Sequence, residues 1–234
     1  MSKMDRELRT SIVNYYNARA GEYEEIYTLG KLGKGPVSIS DPAIYKAEAK
    51  ALSKLINRFC HGKHIDIACG TGFWLPFYAQ NCTKITLLDQ SQQMLSMCQR
   101  KIRSLKIEDK CSLLCEDVFQ HRFEPMAFDS ALAGFFLSHL TPKLEGRFFQ
   151  ILKTILTPGG RFLIIDSIWS TERAKQQKKE GWQERTLNDG SRFDIYKRYF
   201  DKGDFRVMES EYGFHLSILH AGRAFFAVTG GFTS

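Results

Sequence analysis

A glycine turn behind an apolar run is the part of this sequence whose residue types and spacing best suit chemistry. Residues 64–73 read His-Ile-Asp-Ile-Ala-Cys-Gly-Thr-Gly-Phe, so the apolar run ends in a Gly-x-Gly turn. Glycine lets the backbone turn tightly and approach a ligand without an intervening side chain. A dinucleotide-binding turn normally has a third glycine three residues later, and Leu75 stands there instead. The turn therefore predicts a ligand site but counts against a bound pyrophosphate.

Acidic residues follow the next two apolar runs and extend this pattern. Asp89 ends the second run, about 20 residues beyond the glycine turn, where a carboxylate can accept hydrogen bonds from ribose hydroxyls. Glu116, Asp117 and Val118 follow the third run, and a polar residue there suits an adenine amino group. Ligands of open α/β sheets bind at the carboxyl ends of the strands. The three motifs therefore predict one nucleoside-binding edge.

The elements that position these residues alternate between strands and helices. Apolar runs predict strands at 64–68, 84–88, 112–115, 130–136 and 161–165, with helices between them at about 74–80, 92–105 and 142–156. Two helices come first, at 5–27 and from Asp41 to Gly62, separated by a glycine-rich connector at 29–36. Late extended runs at 192–200 and 223–229 are expected to complete the sheet. The alternation predicts an α/β fold, a doubly wound, mostly parallel seven-stranded sheet with helices on both faces.

Taken together, these motifs resemble the class I S-adenosylmethionine-dependent methyltransferase family, in its small-molecule type. The resembling segments occur in the family's order and span roughly 42–166; they are 66–72 (DIACGTG), 88–91 (LDQS), 116–118 (EDV) and 156–161 (LTPGGR). The first glycine of the commonest family pattern is Ala68 here, a departure to another small residue. The resemblance implies a Rossmann-like methyltransferase fold with an N-terminal helical lid. It also implies S-adenosyl-L-methionine as cofactor and S-adenosyl-L-homocysteine as product.

The resemblance also implies roles for individual residues. The glycine turn would line the methionine part of the cofactor, Asp89 would hold the ribose hydroxyls, and Met94 would pack beside the adenine. Asp117 would bond the adenine amino group, and Val118 would offer its backbone amide. The tyrosines of the lid would close over the methionine end, or else serve only in core packing. The predicted cofactor-binding residues are Tyr16, Arg19, Tyr23, Asp66, Ala68, Cys69, Gly70, Thr71, Gly72, Asp89, Gln90, Met94, Glu116, Asp117, Val118 and Phe135.

Candidate acceptor-side residues follow the fourth and fifth predicted strands. His139 is the candidate general base, because the charge of histidine changes near neutral pH; alternatively, it and Ser138 only orient the next helix. A base is needed only if the nucleophile carries a proton of high pKa. Aromatic residues flanked by arginines in the late insertion suit a flat or acidic small molecule, or else a dimer contact. The predicted substrate-binding residues are Phe136, Ser138, Asp166, Trp169, Trp182, Tyr196 and Arg198.

Composition limits the classes of function. The formal charge is +7, but the basic residues are scattered, and the densest cluster, 173–179, resembles a solvated helix face. No run reaches the roughly 20 apolar residues of a membrane helix, and Met1 to Thr10 is too charged for a signal peptide, so we expect a cytoplasmic protein without a membrane partner. The six cysteines form no Cys-x-x-Cys pair and are expected to be reduced structural thiols. No metal site is expected, since the histidine pairs lack matching ligands.

We expect one domain over 1–234: a lid and connector at 1–40, a cofactor-binding core at 41–166, and a substrate-side insertion with the last strands at 167–234. The expected reaction is methyl transfer to an oxygen or nitrogen of a small-molecule acceptor. The alternatives are an RNA or protein methyltransferase and a non-catalytic S-adenosylmethionine-binding protein. A nucleic-acid acceptor is not expected, because residues 133–136 read Ala-Gly-Phe-Phe rather than a base-methylating motif. The oligomeric state stays open, a homodimer included.

Overall fold

The computed structural model describes residues 3–34 and 39–232, so part of the glycine-rich connector lies outside the described residues. The helices are α1 Lys3–Arg19, α2 Glu25–Thr28, α3 Pro42–Phe59, α4 Leu75–Tyr78, α5 Gln92–Leu105, α6 Pro142–Ile155, α7 Thr171–Ala174 and α8 Lys202–Tyr212. The strands are β1 Gly62–Ile67, β2 Cys82–Asp89, β3 Cys111–Cys115, β4 Phe128–Gly134, β5 Leu156–Ser167, β6 Glu180–Thr186, β7 Arg192–Arg198, β8 Phe214–Ala221 and β9 Phe225–Phe232. Among the described helices, none is long and apolar enough to cross a membrane.

Seven strands form the main sheet in the order β3-β2-β1-β4-β5-β9-β8. The first five pair in parallel, and β9 and β8 pair antiparallel at one edge. The predicted doubly wound, mostly parallel seven-stranded sheet is therefore confirmed. The order reverses between β1 and β4, which makes the carboxyl ends of these two strands the topological switch point where ligands bind in such sheets.

Helices cover both faces of this sheet because each carries an apolar stripe. On one face α3 buries Leu52 and Ile56; on the other α6 buries Phe148 and Phe149. Each such side chain contributes about 1.5–3 kcal/mol when fully buried. Helix α5 begins directly after β2, where the side chain of Ser91 accepts a hydrogen bond from the backbone N–H of Met94. This cap fixes the turn that follows Asp89.

The predicted N-terminal helix at 5–27 is divided in the structure. Helix α1 ends at Arg19, a short 3-10 turn covers 20–22, and α2 follows. The division lets the chain bend, so that α1 and α2 meet the sheet edge at different angles. The presence of N-terminal helices agrees with the expected lid.

One expectation about the sheet is wrong. The run 192–200 does not join the main sheet, because β7 pairs antiparallel with β6 in a separate two-stranded sheet. It packs instead against α1 and against the short helical turn at 137–139. The main sheet is completed by β8 and β9. The sequence carried a signal for the missed helix α8, since Asp201 and Asp204 form a capping box at its start.

A buried carboxyl lies beneath the glycine turn. Asp66 of β1 is 1% exposed, and its Oδ2 accepts a hydrogen bond of 2.8 Å from the hydroxyl of Tyr78. Burial raises the pKa of Asp66 to about 7, and the nearby charge of Asp89 adds to this effect. The carboxyl is thus a buried group of the core that is hydrogen-bonded to the last residue of α4.

Asp66→Asn is expected to change how stability depends on pH. Because the pKa of Asp66 is raised on folding from an ordinary value of about 4, the folded state binds more protons than the unfolded state between that value and about 7. The free energy of unfolding of the wild type should therefore fall as pH rises through this window. The asparagine still accepts from Tyr78 but cannot ionise, so the variant lacks this component.

Urea unfolding of both proteins at several pH values across the window measures the difference. The matched control is Asp109→Asn, an exposed aspartate, which should keep the wild-type profile. Identical pH profiles for Asp66→Asn and the wild type would contradict the assignment.

Candidate active site

The backbone is strained at the carboxyl ends of β1 and β4. Ala68 and Phe135 have φ angles of 56° and 58°, a left-handed conformation that costs a non-glycine residue on the order of 1–3 kcal/mol. A backbone hydrogen bond holds Phe135, whose N–H donates to the carbonyl of Ile165. Gly72 also has a positive φ of 69°, and a Cβ there would lie 2.7 Å from the Sγ of Cys98. Such strain is typical of a ligand-binding site.

A cavity lies directly over these strand ends and is roofed by α1. We call it the strand-end cavity; Arg9, Ile12, Val13 and Tyr16 of α1 form its outer wall. Eight of the predicted cofactor-binding residues line it: Tyr16, Tyr23, Ala68, Gly70, Asp89, Gln90, Met94 and Phe135. The structure therefore brings the glycine turn and the second acidic motif together at one edge.

Asp89 is held rigidly at the floor of the strand-end cavity. Its Oδ2 accepts from the backbone N–H of Gly70 at 2.9 Å, and its Oδ1 accepts from that of Ser91 at 2.8 Å. Burial raises the pKa of Asp89 although these hydrogen bonds oppose the shift. Each carboxylate oxygen keeps a further lone pair for a ligand hydroxyl. The side chain is thus a preorganised double acceptor.

The predicted cofactor-binding residues that follow β3 do not line this cavity directly. Asp117 forms an ion pair with Arg9 of α1, and its Oδ1 accepts from the backbone N–H of Phe119 at 2.8 Å. Glu116 pairs with His121, and Val118 is buried in the core. Phe119 itself lines the cavity, so this motif reaches it through Arg9 and Phe119.

Other predicted cofactor-binding residues also lie outside the strand-end cavity; they are Arg19, Asp66, Cys69, Thr71 and Gly72. Thr71 shows the reason, since its hydroxyl donates to the carboxylate of Glu24 at 2.6 Å. Lys101 pairs with the same carboxylate. These side chains hold the glycine turn to the N-terminal segment rather than face the cavity.

A second cavity adjoins the first and is strongly basic. We call it the basic cavity; it is lined by Arg19, Arg173, Arg185 and Lys197, together with several tyrosines. Among the described residues that line it there is no aspartate or glutamate. Four residues line both cavities and form the wall between them: Tyr16, Tyr23, Phe135 and His139.

His139 is fixed within this wall by two hydrogen bonds. Its Nδ1 lies 2.9 Å from the carbonyl oxygen of Tyr196, which can only accept, so Nδ1 carries the proton. Its Nε2 therefore accepts from the hydroxyl of Tyr16 at 2.9 Å. Burial lowers the pKa of His139 well below its ordinary value, and the cations Lys197, Arg185 and Arg19 lower it further. This finding corrects the expectation that its charge changes near neutral pH.

Asp166 and Ser138 lie behind the basic cavity and hold Lys197. The ammonium of Lys197 donates to Ser138 Oγ at 2.5 Å and to Asp166 Oδ1 at 3.2 Å, while Asp166 Oδ2 accepts from the backbone N–H of Ser138 at 2.9 Å. Burial lowers the pKa of Lys197 although Asp166 opposes the shift. Asp166 thus bonds backbone and also positions a lysine that sequence reasoning missed.

The other predicted substrate-binding residues are spread more widely. Phe136 lines the strand-end cavity, and Trp169 packs beside Tyr199, with ring centroids 5.9 Å apart. Trp182 is half-exposed and lies outside both cavities. Tyr196 and Arg198 lie outside both as well. The guanidinium of Arg198 is 2.8 Å from the carboxylate of Glu145.

The alternation of strand side chains explains these misses. Residues of β7 point alternately to opposite faces, and Ile195 and Lys197 share the face that lines the basic cavity. Tyr196 and Arg198 belong to the opposite face. The apolar Ile195 could have indicated the correct face from the sequence, since an apolar residue in a strand usually points toward the core.

Arg173 is a second residue that sequence reasoning placed wrongly. It belongs to the basic cluster 173–179, which was expected to form a solvated helix face. In the structure α7 is only one turn long, and Arg173 is 4% exposed. Its Nη2 donates to the carbonyl of Ala224 at 2.8 Å, and its guanidinium lies over the ring of Tyr199.

Comparisons with known proteins agree with this geometry. Residues 65–160 match a methyltransferase domain family. This match agrees with the resemblance of the sequence motifs to the class I S-adenosylmethionine-dependent methyltransferases. It is 27% identical to a sterol 4-C-methyltransferase of Caenorhabditis elegans over 49% of this chain and 34% of the relative. It is 25% identical to a demethylmenaquinone methyltransferase of Bacillus cereus over 53% of this chain and 52% of the relative.

The chain therefore spans between a third and about half of the length of these curated relatives. A solved structure described as a DhpI–SAH complex superposes with a TM-score of 0.75, at 23% identity, and covers 96% of both chains. This likeness shows the fold over nearly the whole length. Within the described residues, no group of three or more His, Cys, Asp or Glu side chains could hold a metal ion.

NMR of the ring nitrogens of His139 tests the geometry of the wall. We expect a neutral imidazole with its proton on Nδ1 throughout the range from about pH 5 to 8, because burial and the neighbouring cations disfavour the charged form. Spectra of a His139→Gln variant identify the signal. A titration of this signal with a midpoint near the ordinary histidine value would contradict the hydrogen-bonding scheme.

Proposed function

We propose that this protein transfers the methyl group of S-adenosyl-L-methionine to an oxygen or nitrogen of a small molecule and releases S-adenosyl-L-homocysteine. The observation that carries the proposal is the shared wall of two cavities. A cofactor in the strand-end cavity and an acceptor in the basic cavity would meet at Tyr16, Tyr23, Phe135 and His139. Juxtaposition of this kind supplies the positioning that a displacement reaction requires.

The residues of the strand-end cavity fit the cofactor chemically. Asp89 is a fixed double acceptor for two ribose hydroxyls, and Gly70 lines the same cavity without a side chain. Other residues proposed for the cofactor lie outside this cavity in the structure, so we propose that they contact the cofactor through the backbone or after rearrangement of the site; they are Asp66, Cys69, Thr71, Gly72, Glu116, Asp117 and Val118. The solved neighbour is described as a complex with SAH, which supports the same ligand here.

Helix α1 is proposed to act as a lid. The strand-end cavity holds about 80 Å³, room for only a few water molecules, and α1 forms its outer wall. Arg9 of α1 reaches across its mouth to Asp117. We infer that α1 moves outward to admit the cofactor, which agrees with the proposed division into a lid at 1–40, a core at 41–166 and an acceptor side at 167–234.

The bound cofactor supplies an activated methyl group, and the residues of the wall position what attacks it. Tyr16 and His139 hold each other, so the Nε2 lone pair of His139 is already engaged by the Tyr16 hydroxyl. His139 is therefore proposed as a positioning group for Tyr16. Carbon methylation, suggested by the name of the sterol 4-C-methyltransferase relative, is the second candidate, but a cation-lined cavity suits an uncharged sterol poorly.

Asp89→Ala tests the cofactor site. Loss of the carboxylate should weaken binding of S-adenosylmethionine and S-adenosylhomocysteine by about 1.5–3 kcal/mol, the scale of hydrogen bonds to charged groups. Calorimetric titration of the folded variant, with folding checked by circular dichroism, measures the loss. The control Asp109→Ala changes an exposed aspartate and should bind as the wild type does. No binding of either ligand by the wild type would refute the proposed function.

A further inference from the structure

Uncompensated positive charge distinguishes the basic cavity. Three guanidinium groups and one ammonium line it, from Arg19, Arg173, Arg185 and Lys197. Among the described residues, only Lys197 of these four pairs with a carboxylate, that of Asp166. The cavity therefore carries about three positive charges in excess, in a setting where isolated buried charge is costly.

Some N–H donors of these arginines also make no hydrogen bond within the described residues. Arg173 is 4% exposed, and its buried Nε has no hydrogen-bond partner among the residues that the structure describes. Arg19 is 7% exposed, and within the described part of the chain its guanidinium contacts rings, lying 5.1 Å from the ring centre of Tyr23 and 5.6 Å from that of Tyr15. Arginine carries five N–H donors in a planar fork. The donors face a cavity that contains no carboxylate side chain.

Tyr199 reports the resulting electrostatic potential. Burial alone would raise the pKa of this tyrosine, but the cations Arg185, Lys197 and Arg173 outweigh burial and lower it. The cations around the cavity thus stabilise the ionised form of Tyr199 relative to a tyrosine in water. An acceptor that enters as an anion would be favoured for the same reason.

Resting on the function proposed above, we propose that the acceptor is a small oxyacid, a carboxylate or a phosphorus oxyacid, and that one of its anionic oxygens receives the methyl group. Arg19, Arg173, Arg185 and Lys197 would bind the anion, because guanidinium forks match such groups bidentately. Arg19 adjoins the shared wall, since its guanidinium packs on Tyr23, which lines both cavities.

The chemistry balances without a base. The anionic oxygen donates an electron pair to the methyl carbon, the new C–O bond forms, and the C–S bond breaks with its electron pair passing to sulfur. One negative charge on the acceptor and the positive charge of the sulfonium disappear together, and no proton is released. This outcome agrees with a wall in which His139 is neutral and its lone pair is engaged by Tyr16.

Anion binding to the S-adenosylhomocysteine complex is the first test. Inorganic phosphate, methylphosphonate and acetate are titrated calorimetrically into this complex, with acetamide and dimethyl methylphosphonate as neutral counterparts. We expect saturable binding of at least one anion and none of the neutral compounds. Arg185 is a half-exposed residue on β6. Its replacement, Arg185→Gln, should raise the dissociation constant of the anion by about tenfold or more. Its affinity for S-adenosylhomocysteine should stay unchanged.

Arg192→Gln is the matched control, because Arg192 lies on the neighbouring strand β7 with its side chain 72% exposed. It should bind anions as the wild type does. No anion binding, or equal loss in both variants, would overturn the proposal while binding of S-adenosylhomocysteine leaves the proposed function intact. Absence of S-adenosylhomocysteine binding would instead refute the proposed function, so the two failures are distinguishable.

Incubation with S-adenosylmethionine identifies the receiving atom and the source of the anion. Mass spectrometry should find a methyl ester of the phosphorus compound or of the carboxylate, and the compound that is methylated names the class. Arg185→Gln should raise the KM for that acceptor. Anion binding without ester formation from any of the three anions would overturn the assignment of the oxyanion as the methyl acceptor.

Discussion

The reversal of strand order between β1 and β4 is the constraint on which the site depends. Connections from β1 lead to one side of the sheet and those from β4 lead to the other, so the carboxyl ends of these strands are left between the two sets of crossovers. The gap has to be covered, and α1 covers it with Val13 and Tyr16. The strained conformations of Ala68 and Phe135 arise where the two strands leave the sheet at this point.

Charge, rather than shape, separates the two cavities. The strand-end cavity is mainly apolar around one fixed carboxylate, Asp89, which suits a neutral sugar with an aromatic base. The basic cavity gathers cations whose burial is costly to folding, and rings such as Tyr199 offset only part of that cost through cation–π contacts. A purely structural role would be served better by apolar residues of similar size. The buried cations therefore favour the anionic acceptor proposed above.

The two cavities draw their main residues from different parts of the chain: one from the matched methyltransferase domain, the other from elements outside it. The matched methyltransferase domain covers residues 65–160, which contain the glycine turn and Asp89. All four cations of the basic cavity lie outside that range, on α1, α7, β6 and β7. The residues proposed to hold the methyl donor thus lie mostly within the matched domain, and the cations proposed to bind the acceptor lie outside it.

The sequence by itself determined the parallel core, the glycine turn and the position of Asp89, because strand and helix periods and turn residues are local properties of the chain. The tertiary structure alone decided the acceptor side. Residues distant in sequence, such as Arg19, Arg173 and Lys197, meet there only because α1, α7 and β7 pack around one space. If β7 were turned over, Tyr196 and Arg198 would face the cavity in place of Lys197. Packing of β7 against α1 and the turn at 137–139 decides which face points inward. The protonation of His139 was decided in the same way, since burial and the partner atoms of its two nitrogens come from elements far apart in the chain.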